Sequence, residues 1–297
     1  METASMLDIY AVYHKKERSE SMNCIAVENA YVGYDEKLVV KDLDIKLPTG
    51  KITTIIGPNG CGKSTLLKAI GRILKPSQGV VYLNGKDIAK LPTKEVAKEM
   101  AILPQSPQAP NRLTVAEIVA FGRAPHQNNW EGLKAEDKKM VDWALEVTRL
   151  EECAGTYVEN LSGGQRQRVW IAMALAQRTP IILLDEPTTY LDISHQLEIM
   201  ELVARLNREE GITIVMVLHD INHAARYSDE LIVMRKGKIY KQGEPWSILE
   251  GEVLRTVFRV EASVTKDEDT QKPVFYAKRV RGEEDENNLC DGIGTGS

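Results

Sequence analysis

The stretch GPNGCGKST, Gly57 to Thr65, restricts the fold more than any other part of the chain. It matches G-x-x-x-x-G-K-[ST] and stands directly after KITTIIG, an apolar, β-branched run typical of a buried strand. Directly after it comes STLLKAIGRIL, in which Leu66, Leu67, Ile70, Ile73 and Leu74 form a helical stripe. A strand, a glycine-rich loop and a helix in that order turn backbone N–H groups inward around phosphate oxygens, and the helix N-terminus adds positive field. The expected phosphate-binding residues are Gly57, Asn59, Gly60, Cys61, Gly62, Lys63, Ser64 and Thr65. Lys63 would reach the β and γ phosphates, and Ser64 would ligate Mg²⁺.

The rest of the pattern sets this unit in an α/β protein with a mostly parallel sheet. CIAVENAYVGY and KDLDIKL read as strands, the second with Leu43, Ile45 and Leu47 on one face. GVVYLNGKDI carries an Asn84-Gly85 turn and reads as a hairpin, which completes an antiparallel β subdomain. AILPQ is a short strand. From about 106 to 178 helical patterns such as TVAEIVAFGR and KKMVDWALEVTRL prevail, so this segment reads as a helical insertion. The core resumes with PIILLDEP and a helix bearing Ile199, Leu202, Val203 and Leu206. ITIVMVLHD and a closing strand pair over DELIVMRKGKI and YKQGEP follow. Strands alternating with helices imply a parallel sheet covered on both faces. Beyond about Ala262 the pattern weakens, and GEEDENNLCDGIGTGS is acidic and glycine-rich enough to be read as disordered. The expected division is an N-terminal extension over 1–23, one domain over 24–262, and a C-terminal segment over 263–297.

Composition narrows the function classes. With 43% hydrophobic and 27% charged residues the chain can bury a sizeable core, and a net charge of -5 offers no basic face for nucleic acid. The four cysteines, Cys24, Cys61, Cys153 and Cys290, are too widely spaced for a zinc or redox pair and read as free thiols. The N-terminus lacks the basic start and apolar stretch of a secretory signal. No apolar run approaches the roughly 20 residues that cross a bilayer, so any membrane span must come from another chain. His126, His195 and His223 are scattered and read as solvent or packing residues.

A phosphate loop needs a carboxylate for its metal, and IILLDEP supplies two. Asp185 ends an apolar strand, where it can hold the Mg²⁺ shell, and Glu186 would act as general base toward the attacking water. His219 ends the apolar run ITIVMVL and would reach the γ-phosphate from a neighbouring parallel strand, although a single histidine is more often structural. Gln105 ends AILP, where its amide could join the metal or water shell. Ligands of open α/β sheets collect at these carboxyl ends. Tyr34 could stack on a base, or be a plain surface tyrosine. One stretch stands apart: LSGGQRQRVW opens a helix with a glycine pair but has no lysine to meet a phosphate.

Taken in order, GPNGCGKST, LPQ, LSGGQ, ILLDEP, LD and LHD resemble the nucleotide-binding subunit of an ATP-binding cassette (ABC) transporter, over about residues 24–262. The resemblance implies a P-loop NTPase core of ABC ATPase type, with ATP and Mg²⁺ as its ligands. It implies a homodimer in which two copies face head to tail, so that Ser162, Gly163, Gly164 and Gln165 of one copy close over the ATP held by the other. It also implies that Asp192 lies in the loop coupling the two sites, and that a small residue such as Cys61 is tolerated in the phosphate loop. The positive field of that loop should lower the Cys61 thiol pKa.

EIVAFGRAPHQ, LDISHQLEIMELVARLN and VLHDINHAARYSDELIVMRKGKIYKQG are similar to importer ATPases for iron(III)-siderophore, haem and cobalamin uptake. That likeness implies an ATPase at the cytoplasmic face of the cell membrane, docked on two copies of a transmembrane permease and served by a solute-binding protein. The permease would dock in the groove between the Gln105 loop and the helical insertion. Iron-siderophore is the preferred cargo, with cobalamin or haem as alternatives, and a non-transport ABC clamp as the reading of a different class. The two cassettes of a translation factor and the coiled coil of a DNA-repair relative are both missing from this sequence.

Overall fold

The computed structural model describes residues 23–35, 37–108, 110–127 and 132–280. The expected extension over 1–23, apart from Asn23, which opens β1, and the acidic tail GEEDENNLCDGIGTGS lie outside these residues. In chain order the elements are β1 (Asn23–Tyr34), β2 (Lys37–Pro48), β3 (Ile52–Ile56), α1 (Lys63–Ile70), β4 (Gln78–Leu83), β5 (Lys86–Asp87), α2 (Thr93–Glu99) and β6 (Met100–Leu103). The helices α3 (Val115–Phe121), α4 (Ala135–Thr148) and α5 (Gly163–Ala176) come next. They are followed by β7 (Ile181–Asp185), α6 (Ile193–Glu210), β8 (Thr213–Val217), α7 (Ile221–Tyr227), β9 (Glu230–Arg235), β10 (Lys238–Gly243), α8 (Pro245–Ile248), α9 (Gly251–Phe258), β11 (Val260–Lys266) and β12 (Pro273–Val280).

The central sheet has the order β10-β9-β3-β8-β7-β6, parallel throughout except for β10. Its inner strands are apolar on both sides because each side meets a different core. Ile52, Ile56, Ile182, Leu184, Ile214 and Met216 join one cluster, which packs against the helices of the insertion and α6. Ile55, Ile181, Leu183, Val215 and Val217 alternate into a second cluster with α1 and the antiparallel sheet. That second sheet has the order β2-β1-β4-β5. It buries Leu43, Ile45 and Leu47 as the alternation of β2 predicts. On α1, Leu66 and Leu67 are fully buried, each contributing about 1.5–3 kcal/mol.

Two expectations need correcting. Ile73 is not part of the α1 stripe: the helix ends at Ile70, Arg72 turns left-handed at φ 59°, and Ile73 is 54% exposed. The fold also continues past Ala262, because β11 and β12 form an antiparallel hairpin. Its Val260, Ala262, Val264 and Phe275 pack on the core, and Asn222 of α7 exchanges two hydrogen bonds with the Phe275 backbone. β11 is mostly half-buried, β12 mostly exposed, and both are mixed in polarity, so alternation is faint there. Residues 106–178 hold α3, α4 and α5, with an isolated Thr114–Tyr157 bridge as strand-like pairing among the described residues.

Register decides where the functional side chains meet. Ile55 and Asp185 both pair with Val217, and Leu103 pairs with Leu184. The parallel strands β3, β6, β7 and β8 therefore end along one edge, and the segments that follow them carry Gly57, Gln105, Glu186 and His219.

Candidate nucleotide site

A cleft of about 350 Å³ opens at this edge, lined by Asn59, Gly60, Gly62, Lys63, Ser64, Thr65, Gln105, Glu186 and His219, with Val39 of β2 at its side. The loop between β3 and α1 is tightly wound. Gly62 precedes the helix with φ 108°, a conformation other residues adopt only under strain. Lys63 is 5% exposed, and its Nζ donates to the Gly57 and Pro58 carbonyl oxygens at 2.8 and 3.1 Å. Those two carbonyl oxygens hold the ammonium against the start of the loop.

Ser64 Oγ donates to Asp185 Oδ1 at 2.7 Å. Burial pushes the Asp185 carboxyl above its ordinary range; the Ser64 hydroxyl pulls it back and the Glu186 charge pushes it up again. A buried carboxylate beside a hydroxyl offers hard oxygen donors that suit Mg²⁺.

Glu186 carries three contacts. Gln105 Nε2 donates to Oε2 at 2.5 Å, Thr189 Oγ1 donates to Oε2 at 3.1 Å, and His219 Nε2 lies 2.6 Å from Oε1. Its backbone is left-handed, φ 53°, which places the side chain off the end of β7 and across the edge toward Gln105 and His219. Sequence reasoning missed Thr189 and Val39. Thr189 follows Glu186 by three residues in a turn, the spacing that returns a hydroxyl to a carboxylate, whereas Val39 carries no chemical signal at all.

Tyr34 is 45% exposed at the end of β1 and does not line the cleft. Gly57 and Cys61 belong to the loop but lie beneath its lining. Cys61 corrects an expectation: it is 5% exposed, and burial pushes its thiol pKa up, a larger effect than the opposing Lys63 charge.

The signature stretch, LSGGQ from Leu161 to Gln165, does not join the cleft of its own chain. Ser162 and Gly163 are exposed at the start of α5. The Ser162 hydroxyl accepts from the Gln165 N–H at 3.2 Å, while Gln165 Oε1 accepts from the Ser162 N–H at 3.1 Å, a capping box that fixes the serine. Gly164 is buried against the His195 ring, where a Cβ would come within 2.1 Å of Cδ2. Asp192 caps α6 by accepting from the His195 N–H at 3.0 Å, with His195 Nδ1 at 2.7 Å and the Ser194 hydroxyl at 2.9 Å. These bonds, the backbone one foremost, hold its pKa down to about 2. His126 meets the Gln177 carbonyl at 2.8 Å and His223 stacks edge-on against Tyr227, as packing residues do.

Comparison with known proteins agrees with this geometry. The family described as "ABC transporter" matches residues 40–189. The chain belongs to the ABC transporter family. It is 54% identical over 253 residues to the iron(3+)-hydroxamate import ATP-binding protein FhuC of Bacillus subtilis (strain 168), covering 85% of this chain and 94% of that one. Identity to the ferric enterobactin transport ATP-binding protein FepC of Escherichia coli (strain K12) is 45% over 249 residues, or 84% and 92% of the two chains. Among solved structures, the dimeric bacterial ABC transporter cassette MJ0796 superposes with a TM-score of 0.66 at 33% identity, covering 74% of this chain and 98% of that one. No helix among the described residues of this ABC cassette is long and apolar enough to cross a membrane.

Proposed function

We propose that this chain is the ATP-hydrolysing subunit of an importer for iron(III)-siderophore complexes, working as a head-to-tail pair beneath two copies of a permease that a solute-binding protein loads. The observation that carries the enzymatic part is the convergence of Gln105, Glu186 and His219 on the cleft of the phosphate loop. Glu186 takes the proton of the attacking water as that water's oxygen bonds to the γ-phosphorus, and the β–γ bridging oxygen leaves with ADP. His219 and Gln105, bonded to the two oxygens of that carboxylate, hold it in orientation. Ser64, Asp185 and Gln105 would hold the Mg²⁺ that accompanies ATP. When bound, the ion neutralises charge on the β and γ phosphates.

The pairing rests on the signature residues. Ser162 and Gly163 are exposed at the start of α5, and the MJ0796 cassette is dimeric. In a head-to-tail pair they serve the nucleotide of the other copy, which supplies the lysine that LSGGQ lacks. The permease docks beside the Gln105 loop, where a groove of about 300 Å³ is lined by Pro107, Arg112, Leu113, Val158, Glu159 and Trp170. Docking there places the ATPase peripherally at the cytoplasmic face. The cargo reading rests on the FhuC and FepC relatives.

Glu186→Gln tests the reading. ATPase activity of the purified variant falls about a hundredfold or more, and ATP holds it as a dimer. Cells carrying only this variant lose uptake of siderophore-borne iron. Hydrolysis at the wild-type rate removes the general base, and unchanged iron uptake with lost cobalamin or haem uptake replaces the cargo.

A further inference from the structure

A second cavity, of about 490 Å³, lies away from the nucleotide cleft, between the end of α4, the helices α5, α6 and α7, and the turn of the β11–β12 hairpin. Its walls bring together Arg149, Arg168, Arg205, Arg208 and Arg226, with Tyr227 among them. Glu198 and Glu201 are its acidic members, so cations outnumber anions. Charge of one sign gathered in a concave site is unfavourable unless something offsets it.

Local pairing offsets part of it, since Arg208 Nη2 stands 4.0 Å from Glu209 Oε1. The Arg168 side chain is only 19% exposed, yet its Nη1 stands 3.7 Å from Glu198, beyond hydrogen-bond distance, and its Nε is buried with no hydrogen-bond partner. That buried Nε is out of a ligand's reach, so what Arg168 offers the cavity is the part of its guanidinium that stays exposed and only loosely paired with Glu198. Arg205 Nη2 donates to the Val147 carbonyl at 2.6 Å, which fixes its guanidinium at the cavity wall. Arg226 lies with Cζ 5.7 Å from the Tyr227 ring centroid. Burial pushes the Tyr227 phenol pKa up, against the smaller opposing effect of the Arg226 charge.

We infer that this arginine cavity is an effector site for a small anion carrying two or more phosphate groups. Planar guanidinium forks match phosphate oxygens in bidentate fashion, and several of them in one concavity favour a multivalent phosphate over a single carboxylate. The placement gives such a ligand leverage on the ATP site. It touches α5, which Ser162 caps, α6, which Asp192 caps, and α7, which follows His219 and Asp220. Binding across the three helices ties the signature serine, the loop of Asp192 and the His219 segment into one body, and couples the ligand to hydrolysis. The inference holds whatever the cargo, because no residue of the cavity takes part in the proposed chemistry.

The experiment titrates inorganic tripolyphosphate, in the presence of EDTA, into the full-length protein by calorimetry. Since the phosphate loop also accepts this probe, Lys63→Ala and Arg168→Gln are measured beside the wild type. Two sites are expected. The site that persists in Lys63→Ala weakens about tenfold or more in Arg168→Gln, the loss of one charge-assisted hydrogen bond. Exposed Arg149→Gln, a change at the rim with little effect on folding, weakens the same site, and Glu198→Gln strengthens it. A single site abolished by Lys63→Ala and indifferent to the arginine and glutamate variants overturns the inference. Equal affinity in Arg149→Gln and wild type at the persisting site also overturns it.

Discussion

Asp185 is 3% exposed, and its carboxyl is held above the ordinary range chiefly by that burial. A group whose folded pKa is raised binds its proton more tightly in the folded state. Its ionised form therefore lowers stability, with no effect at low pH and a growing one as pH rises from the unfolded value through the folded one. Asp185→Asn is thus expected to melt at a higher temperature than the wild type at neutral pH in nucleotide-free buffer, while losing ATPase activity. The difference in melting temperature should shrink as pH is lowered. A wild type as stable as the variant at pH 7 contradicts this assignment. Cys61 illustrates the limit of motif reading at this scale. Position within the phosphate loop suggested an activated thiol, but the side chain faces the interior beneath Gly57, so desolvation prevails over the field of Lys63. Mass spectrometry after brief alkylation at pH 7 should find Cys153, which is half-buried, labelled before Cys61. The reverse order would restore the activated thiol.

Helix contacts were legible as amphipathic stripes but not as distances. The stripe of α6 is buried at Ile199, Leu202, Val203 and Leu206, as its spacing requires. The glycine after α3 shows what spacing cannot. A Cβ on Gly122 would stand 2.1 Å from the Met173 carbonyl oxygen and 3.1 Å from Ala176 Cβ, so α3 and α5 approach at bare backbone. An open glycine replaced by alanine usually stabilises by reducing the freedom of the unfolded chain, whereas overpacking a close contact costs about 1–3 kcal/mol. Gly122→Ala is therefore expected to lower the urea midpoint, and a raised midpoint would show that the two helices separate freely. Beside it, Arg123 donates to Asp137 at 2.9 Å and to the Ala176 carbonyl at 2.7 Å, a buried bridge inside the insertion that neither partner announced in sequence. The β11–β12 hairpin escaped for a related reason: half-buried and exposed strands of mixed polarity leave weak alternation, and their docking through Asn222 and Lys272 is tertiary.

At the scale of the whole molecule, the parallel core was legible because its strands are apolar on both faces, and the register then brings four loop segments to one edge. Four of the motifs, those of Gly57, Gln105, Glu186 and His219, were legible for the same reason, since each follows a strand of that sheet. The LSGGQ stretch is different: its capping box and exposed serine lie outside the phosphate-loop cleft of their own chain, and the proposed function assigns their use to a second copy. Disulfide trapping between two differently tagged chains tests that dependence directly. One chain carries Asn59→Cys and the other Ser162→Cys, both with Glu186→Gln and with their native cysteines replaced. Addition of MgATP and a mild oxidant should join the two tags in one covalent dimer, and omission of nucleotide should leave them apart. Normal ATP binding with no joined species, or ATP-dependent closure of a single chain bearing both cysteines while it stays monomeric, would contradict the shared site.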